Sequence, residues 1–190
     1  MSDHYIIFDW QHHGKPGKND RGATHEDLVE IDLTAAYIDS AKHMLEACGH
    51  RTVVLSYGLY SKRHAYAVEA AKAVKGRCVY VACHVNAGGG NYGLVCHDHR
   101  SGGGKRLAGF VSVELGKLVG RTLSEGASSS HWTNAYNTIR GVYKGPSNIC
   151  GICYEPGFID SGEHKHLWYA DGPDRLGASL AAGIIEFLKE

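Results

Sequence analysis

Two adjacent histidines follow an apolar run near the start of the chain, in Phe8-Asp9-Trp10-Gln11-His12-His13-Gly14. A third, His84, ends another apolar run, in Val81-Ala82-Cys83-His84-Val85-Asn86. Glu155 ends a later one, in Ile152-Cys153-Tyr154-Glu155-Pro156. Two further carboxylates, Glu26 and Glu30, lie in what reads as the opening turns of a helix. Two imidazoles and a carboxylate, with another carboxylate close by, form the donor set of a catalytic zinc site. Such a site uses three protein ligands, keeps one position for water and places a general base beside it. Taken singly, each residue has an ordinary explanation: a histidine after a strand is usually hydrogen-bonded or at the surface, and an acid in a first helical turn answers the helix dipole. Their convergence on one edge is what gives the set weight.

That convergence depends on the elements that carry them. Residues 4–9, 51–56, 78–83, 92–97 and 149–154 read as strands, the third almost wholly apolar, as in a sheet covered on both faces. Helices are expected from Thr24 to Cys48, over 62–74, over 105–123, and from Asp171-Gly172-Pro173 onward, with a Gly/Ser-rich link at 125–130. The helix from Thr24 opens on Thr24-His25-Glu26-Asp27, a capping box with Asp in place of Glu, and closes at Gly49. Strands alternating with helices predict an α/β three-layer sandwich, a central mostly parallel sheet of about five to six strands flanked by helices. Ligands of such sheets bind beyond the carboxyl ends of the strands. His12, His13, His84 and Glu155 all stand there, and the first helix starts from the same edge. At about 100° per residue, Glu30 lies roughly 90° from the centre of the apolar stripe formed by Leu28, Ile31, Ala35, Ile38, Ala41 and Leu45, and Glu26 roughly 130°. Glu30 is therefore the preferred ligand of the two.

Composition narrows the function classes. The 190 residues, 43% hydrophobic, suit one domain spanning 1–190 with a substantial core. Basic and acidic residues number 20 each, so there is no basic excess for a nucleic-acid or membrane-surface partner. The first residues show no signal-peptide pattern, and no apolar run approaches the roughly 20 residues of a membrane span. Synthesis and retention in a cytoplasm are expected. Cys78, Cys83, Cys150 and Cys153 lie in strand-like runs as buried hydrophobes, and the single CxxC lacks the second pair that a zinc ribbon needs. Histidine, with 13 copies, is the unusual residue. Two further clusters, Cys96-His97-Asp98-His99 and Glu163-His164-Lys165-His166, are read as solvated polar edges or as lining of a substrate groove.

The ordered set of motifs resembles the zinc-dependent N-acetylmuramoyl-L-alanine amidases of bacterial and phage origin (the amidase-3 type). Their opening Asp-x-Gly-His-Gly-Gly turn is matched by Asp9-Trp10-Gln11-His12-His13-Gly14. Their helix Glu about twenty residues before a Gly is matched by Glu30 and Gly49, and their Arg before a helix by Arg63. The Ser-x-His-x-Asn-Ala strand end is Ala82-Cys83-His84-Val85-Asn86-Ala87, the Arg-Gly-Val segment is Arg140-Gly141-Val142, and Val-Glu-x-Gly-Phe is Tyr154-Glu155-Pro156-Gly157-Phe158. The resemblance spans essentially the whole chain. It departs from the pattern where Gln11 and His13 replace glycines and where Asp160 stands for an Asn.

The resemblance implies one zinc ion held by His12, Glu30 and His84, with Glu155 as the catalytic carboxylate. It implies cleavage of the amide between the muramic acid lactyl group and L-alanine of peptidoglycan, and hence cell-wall lysis. Asn86, Arg140 and His13 are the expected substrate-binding residues, His13 alternatively supporting the metal ligands. The expected partner is peptidoglycan alone, with no nucleic acid and no membrane insertion, and the expected state is a monomer. Lacking an export signal and a wall-binding domain, the chain is expected to be a phage or prophage endolysin, with a host autolysin second. A zinc peptidase and an inactive peptidoglycan-binding module are the competing readings.

Overall fold

The structure, a computed structural model, describes residues 4–128 and 133–190, with the backbone alone at 133–136 and 138. In chain order the elements are β1 (Tyr5–Trp10), a hairpin of β2 (Thr24–His25) and β3 (Leu28–Val29), α1 (Glu30–Ala47), β4 (Arg51–Leu55) and α2 (Tyr60–Lys72). There follow β5 (Cys78–Cys83), β6 (Gly93–Asp98), α3 (Gly102–Val119), β7 (Thr122–Ala127) and α4 (Thr133–Tyr143). Strand β8 (Ile149–Glu155), a 3-10 turn (Gly162–Leu167) and α5 (Gly172–Leu188) complete the chain.

Six strands form one sheet in the order β4-β1-β5-β8-β6-β7. Every neighbouring pair is parallel except β6 with β8, which is antiparallel. The all-buried β5 and β6 lie inside this sheet, and β5 is apolar on both faces, because helices cover both. Helices α1, α3 and α5 pack on one face through Tyr37, Leu45, Leu107, Val111, Leu180 and Phe187. Helices α2 and α4 pack on the other through Ala67, Ala71, Ile139 and Val142. The result is a three-layer α/β sandwich with a mostly parallel six-stranded sheet. Gly141, inside the Arg-Gly-Val segment, is a packing residue: a Cβ there would lie 2.5 Å from His64 Nδ1, so a larger residue would push α4 off α2.

Four expectations are corrected by the structure. The helix does not start at Thr24: residues 24–29 form the β2–β3 hairpin, Glu26 takes φ +52°, and α1 begins at Glu30. The capping-box pattern loses here to tertiary contacts, since the Glu30 N–H donates to Ala23 O and the Glu30 carboxylate accepts the Ala23 N–H. The buried face of α1 is also rotated. It runs through Glu30, Leu33, Thr34, Tyr37, Ile38, Ala41 and Leu45, while Ile31 and Ala35 are only partly buried. Glu30 therefore sits on the buried face and not at its margin. Residues 122–127, read partly as helix and partly as link, form the edge strand β7, whose pairing with β6 overrides a weakly apolar sequence; residues 129 and 130 of that link lie outside the described residues. The helix expected over 105–123 instead runs from Gly102, where Ser101 caps it by accepting the Gly104 N–H, to Val119 before Gly120.

The reading of the two later histidine clusters as solvated edges holds for His99, Glu163, Lys165 and His166, which are exposed, and is corrected for His97, Asp98 and His164. His97 is buried and donates from Nδ1 to Asp98 O, and Asp98 is buried and paired with Arg100. His164 is buried and accepts the Phe158 N–H at Nδ1. These are structural histidines. All six cysteines are free, and all but Cys48 are buried. Among the described residues no helix is long and apolar enough to cross a membrane.

Candidate metal centre and groove

The carboxyl edge of the sheet carries the candidate site. His12 lies two residues beyond β1, His84 follows β5, Glu155 ends β8, and Glu30 opens α1. The loop between β1 and β2 turns back so that its residues meet the start of α1. Gly22 makes the approach possible: it has φ +71°, and a Cβ there would fall 2.3 Å from Glu30 Oε2.

Three side chains converge. Glu30 Oε1 lies 3.0 Å from His84 Nδ1 and 3.6 Å from His12 Nε2. Among the described residues, His12, Glu30 and His84 form the only group of His, Cys, Asp or Glu donors close enough to share an ion, with all donor atoms within 4.8 Å of one another. Two ligand atoms about 2 Å from a tetrahedral zinc stand about 3.3 Å apart, so the spacing suits that ion. The far ring nitrogens suit it too. His12 Nδ1 donates to Asp20 Oδ1 at 2.8 Å, and His84 Nε2 faces Gln11 Oε1 at 2.9 Å. An acceptor on the far nitrogen fixes the tautomer that leaves the near nitrogen's lone pair free for a metal.

Electrostatics agree with the geometry. Burial disfavours the charged form of Glu30, but His84, His12 and the Ala23 N–H outweigh it and hold its carboxyl below the usual range. Burial likewise disfavours charge on His84, and Glu30 reverses that, so the His84 pKa is raised. Asp20 is held at about 2 against the effect of burial by hydrogen bonds from His12, Lys15 and the Gly22 N–H. His12 itself takes φ +64°, a left-handed conformation for a residue with a Cβ. Its N–H donates to Tyr60 Oη at 2.8 Å, and with the Asp20 contact this secures the turn.

Beneath the turn lies a buried ion pair. Arg63 Nη1 binds Asp9 Oδ1 at 2.8 Å and Trp10 O at 2.7 Å, Nη2 binds His13 O, and Nε binds Gly58 O at 3.1 Å. The other Asp9 oxygen accepts from Gln11 Nε2 and from the Tyr80 hydroxyl. Both charged side chains are almost fully enclosed, at 2% and 0% exposure.

Glu155 is close enough to feel the charges of His84, Glu30 and His12. Burial, reinforced by Glu30 and opposed by His84, pushes its carboxyl above the usual carboxylate range. It lines a groove of about 390 Å³ together with Asn86, Gly88, Tyr92 and Phe158. Asp160 forms one wall's anchor, accepting the Gly88 and Gly89 N–H groups, with its Oδ2 3.0 Å from Gly88 N and its Oδ1 3.0 Å from Gly89 N. Asn86 Oδ1 accepts the Ala87 N–H, which leaves its Nδ2 as the donor end.

The other two expected substrate contacts, His13 and Arg140, are not among the residues lining this groove. His13 stacks on Trp10 with ring centroids 3.8 Å apart and donates from Nδ1 to Ser56 O. Arg140 is exposed on α4 and is not among the groove-lining residues. Sequence reasoning noted Asp9, Gln11 and Arg63 only as motif positions, with no role or contact assigned, and missed Asp20 and Tyr80. The one available signal was chemical: a metal-bound histidine needs an acceptor on its other nitrogen, and Asp20 sits in the glycine-containing loop beside His12.

No family model matches the chain, and no curated protein matches it. Solved structures do match in fold. One is the N-acetylmuramoyl-L-alanine amidase AmiC2 of Nostoc punctiforme, 19% identical, covering 100% of this chain and 99% of its own, with a TM-score of 0.72. Another is an N-acetylmuramoyl-L-alanine amidase from Clostridium difficile 630, 19% identical, covering 98% and 97% with a TM-score of 0.75. A third is the catalytic domain of the CD27L endolysin targeting Clostridia difficile, 13% identical, covering 96% and 97% with a TM-score of 0.62. The chain therefore shares, over nearly its full length, the fold of solved N-acetylmuramoyl-L-alanine amidase domains.

Proposed function

We propose that the chain is a zinc-dependent N-acetylmuramoyl-L-alanine amidase that hydrolyses the amide between muramic acid and L-alanine in peptidoglycan. The observation that carries this reading is the convergence of His12 Nε2, Glu30 Oε1 and His84 Nδ1 at the edge where Glu155 lines a groove. The fold shared with proteins that bear this activity in their names supports it. Zinc at those three atoms would supply a Lewis acid and an activated water at neutral pH.

The chain's own residues do the rest. Glu155 accepts a proton from the attacking water and returns it to the leaving nitrogen of L-alanine. Its environment suits that task, because a carboxyl whose pKa is raised by burial holds a proton more readily than an exposed one. Asn86, whose Oδ1 accepts the Ala87 N–H at the groove lining, offers Nδ2 as a donor to a substrate oxygen. Asp20 and Gln11 hold the two imidazoles in orientation. We further propose action on the bacterial cell wall after release from a host cytoplasm, as in a phage or prophage endolysin.

Product analysis tests the reading. Digestion of purified peptidoglycan should free amino groups of L-alanine and leave the stem peptides intact, whereas cleavage inside the stem would make the chain a peptidase. Glu155→Gln should lower kcat by about 10²–10⁴-fold while the variant still sediments with cell walls. Wild-type turnover by that variant would remove Glu155 from the mechanism.

A further inference from the structure

Gln11 occupies the position at which the amidase pattern carries a glycine, and its side chain is 1% exposed. Its surroundings determine which way its amide points. Asp9, paired with Arg63 at 2.8 Å, is a carboxylate and can only accept hydrogen bonds. The Gln11 NH2 group must therefore face Asp9 Oδ2, 2.9 Å away. That leaves Oε1 facing His84 Nε2 at 2.9 Å. An amide oxygen accepts only, so His84 Nε2 carries a proton, and Nδ1, 3.0 Å from Glu30 Oε1, is the nitrogen whose proton a metal would displace. Arg63 fixes the start of this relay, because it also grips the carbonyls of Trp10 and His13, on either side of Gln11 and His12.

We infer that Gln11 is a positioning residue for the metal centre: it transmits the orientation of the buried Asp9–Arg63 pair to His84, fixing the Nε2–H tautomer in which Nδ1 is the metal-facing nitrogen. This rests on the reading of His12, Glu30 and His84 as zinc ligands. Asp20 performs the same service for His12 through Nδ1, so the two imidazoles are set by separate acceptors and present opposite ring nitrogens to the one carboxylate.

Two measurements test it. In histidine-labelled wild-type protein loaded with one equivalent of zinc, long-range proton–nitrogen correlation spectra should show His84 protonated at Nε2 and metal-bound at Nδ1. Gln11→Met, close in volume but unable to accept, should lose the slowly exchanging Nε2 proton. Its zinc affinity, read by competition with a chromophoric chelator, should fall about 10–100-fold. Zinc bound through Nε2 of His84 in the wild type overturns the inference, whether or not the variant folds. So does a Gln11→Met protein whose Nε2 proton exchanges as slowly as in the wild type, or that binds zinc within about threefold of wild type. A wild type that takes up no zinc overturns the metal reading itself, and the inference with it.

Discussion

Replacing Arg63 by Met removes the cation that closes the floor of the site. Arg63 and Asp9 are 2% and 0% exposed, so the variant leaves a carboxylate buried with only the Gln11 amide and the Tyr80 hydroxyl as donors. Breaking a buried pair by deleting one partner costs about 3–5 kcal/mol. The carbonyls of Trp10, His13, Leu55 and Gly58 lose their donor as well. In a domain of this size each kcal/mol shifts Tm by about 2–4 °C, so Arg63→Met should lower Tm by about 6–20 °C. The assay is thermal and urea unfolding of zinc-free protein, which keeps metal binding out of the comparison. Adding Asp9→Asn to Arg63→Met should recover at least about 1 kcal/mol, because no charge then remains buried without a counter-ion. A loss below about 1 kcal/mol for Arg63→Met, or no recovery in the double variant, would refute the claim that this buried ion pair holds the floor of the site together.

Two other substitutions probe the loops around the sheet edge. Gly22→Ala forces a Cβ into a left-handed backbone 2.3 Å from Glu30 Oε2. It should cost more than about 1 kcal/mol and displace the Glu30 carboxylate, seen as lower stability together with weaker zinc binding in chelator competition. Arg100→Met should destabilise the protein at pH 7 because Arg100 pairs with the buried Asp98 at 2.7 Å. Burial favours the neutral acid, but Arg100 outweighs it and holds the Asp98 pKa below its ordinary value of 3.8. A depressed acid contributes stability above its unfolded pKa and loses it as pH falls through its folded pKa. The cost of Arg100→Met should therefore shrink below pH 3.8, as pH-dependent unfolding would show.

Strand and helix alternation was legible where apolar periodicity is strong. Strands β1, β4, β5, β6 and β8 and helices α2 and α5 stand within a few residues of where the pattern puts them. Two elements were hidden because tertiary contacts decide them. Thr24-His25-Glu26-Asp27 has the local chemistry of a helix start, yet the Ala23 contacts to Glu30 draw the segment into a hairpin. Thr122–Ala127 carries Ser, Glu and Gly, and becomes a strand by pairing with β6. The clustering of His12, Glu30 and His84 was readable from the carboxyl-edge rule, since His12 and His84 come just after strands and the helix that carries Glu30 starts from the same edge. Their supports were not. Gln11 reaches His84 and Arg63 reaches Asp9 across 73 and 54 residues of sequence, and no local spacing encodes such contacts. His13 was indistinguishable from His12 by residue type. The left-handed turn at His12 aims one ring at Glu30, and the other stacks on Trp10.

Zinc content of the wild type and of single histidine variants tests the central claim most directly. Purified protein dialysed against trace zinc should hold one ion per chain, and His13→Ala should hold the same. His12→Ala and His84→Ala should hold essentially none, because each removes one of three donors lying within 4.8 Å of one another. Full zinc in His12→Ala, or loss of zinc in His13→Ala, would contradict the account.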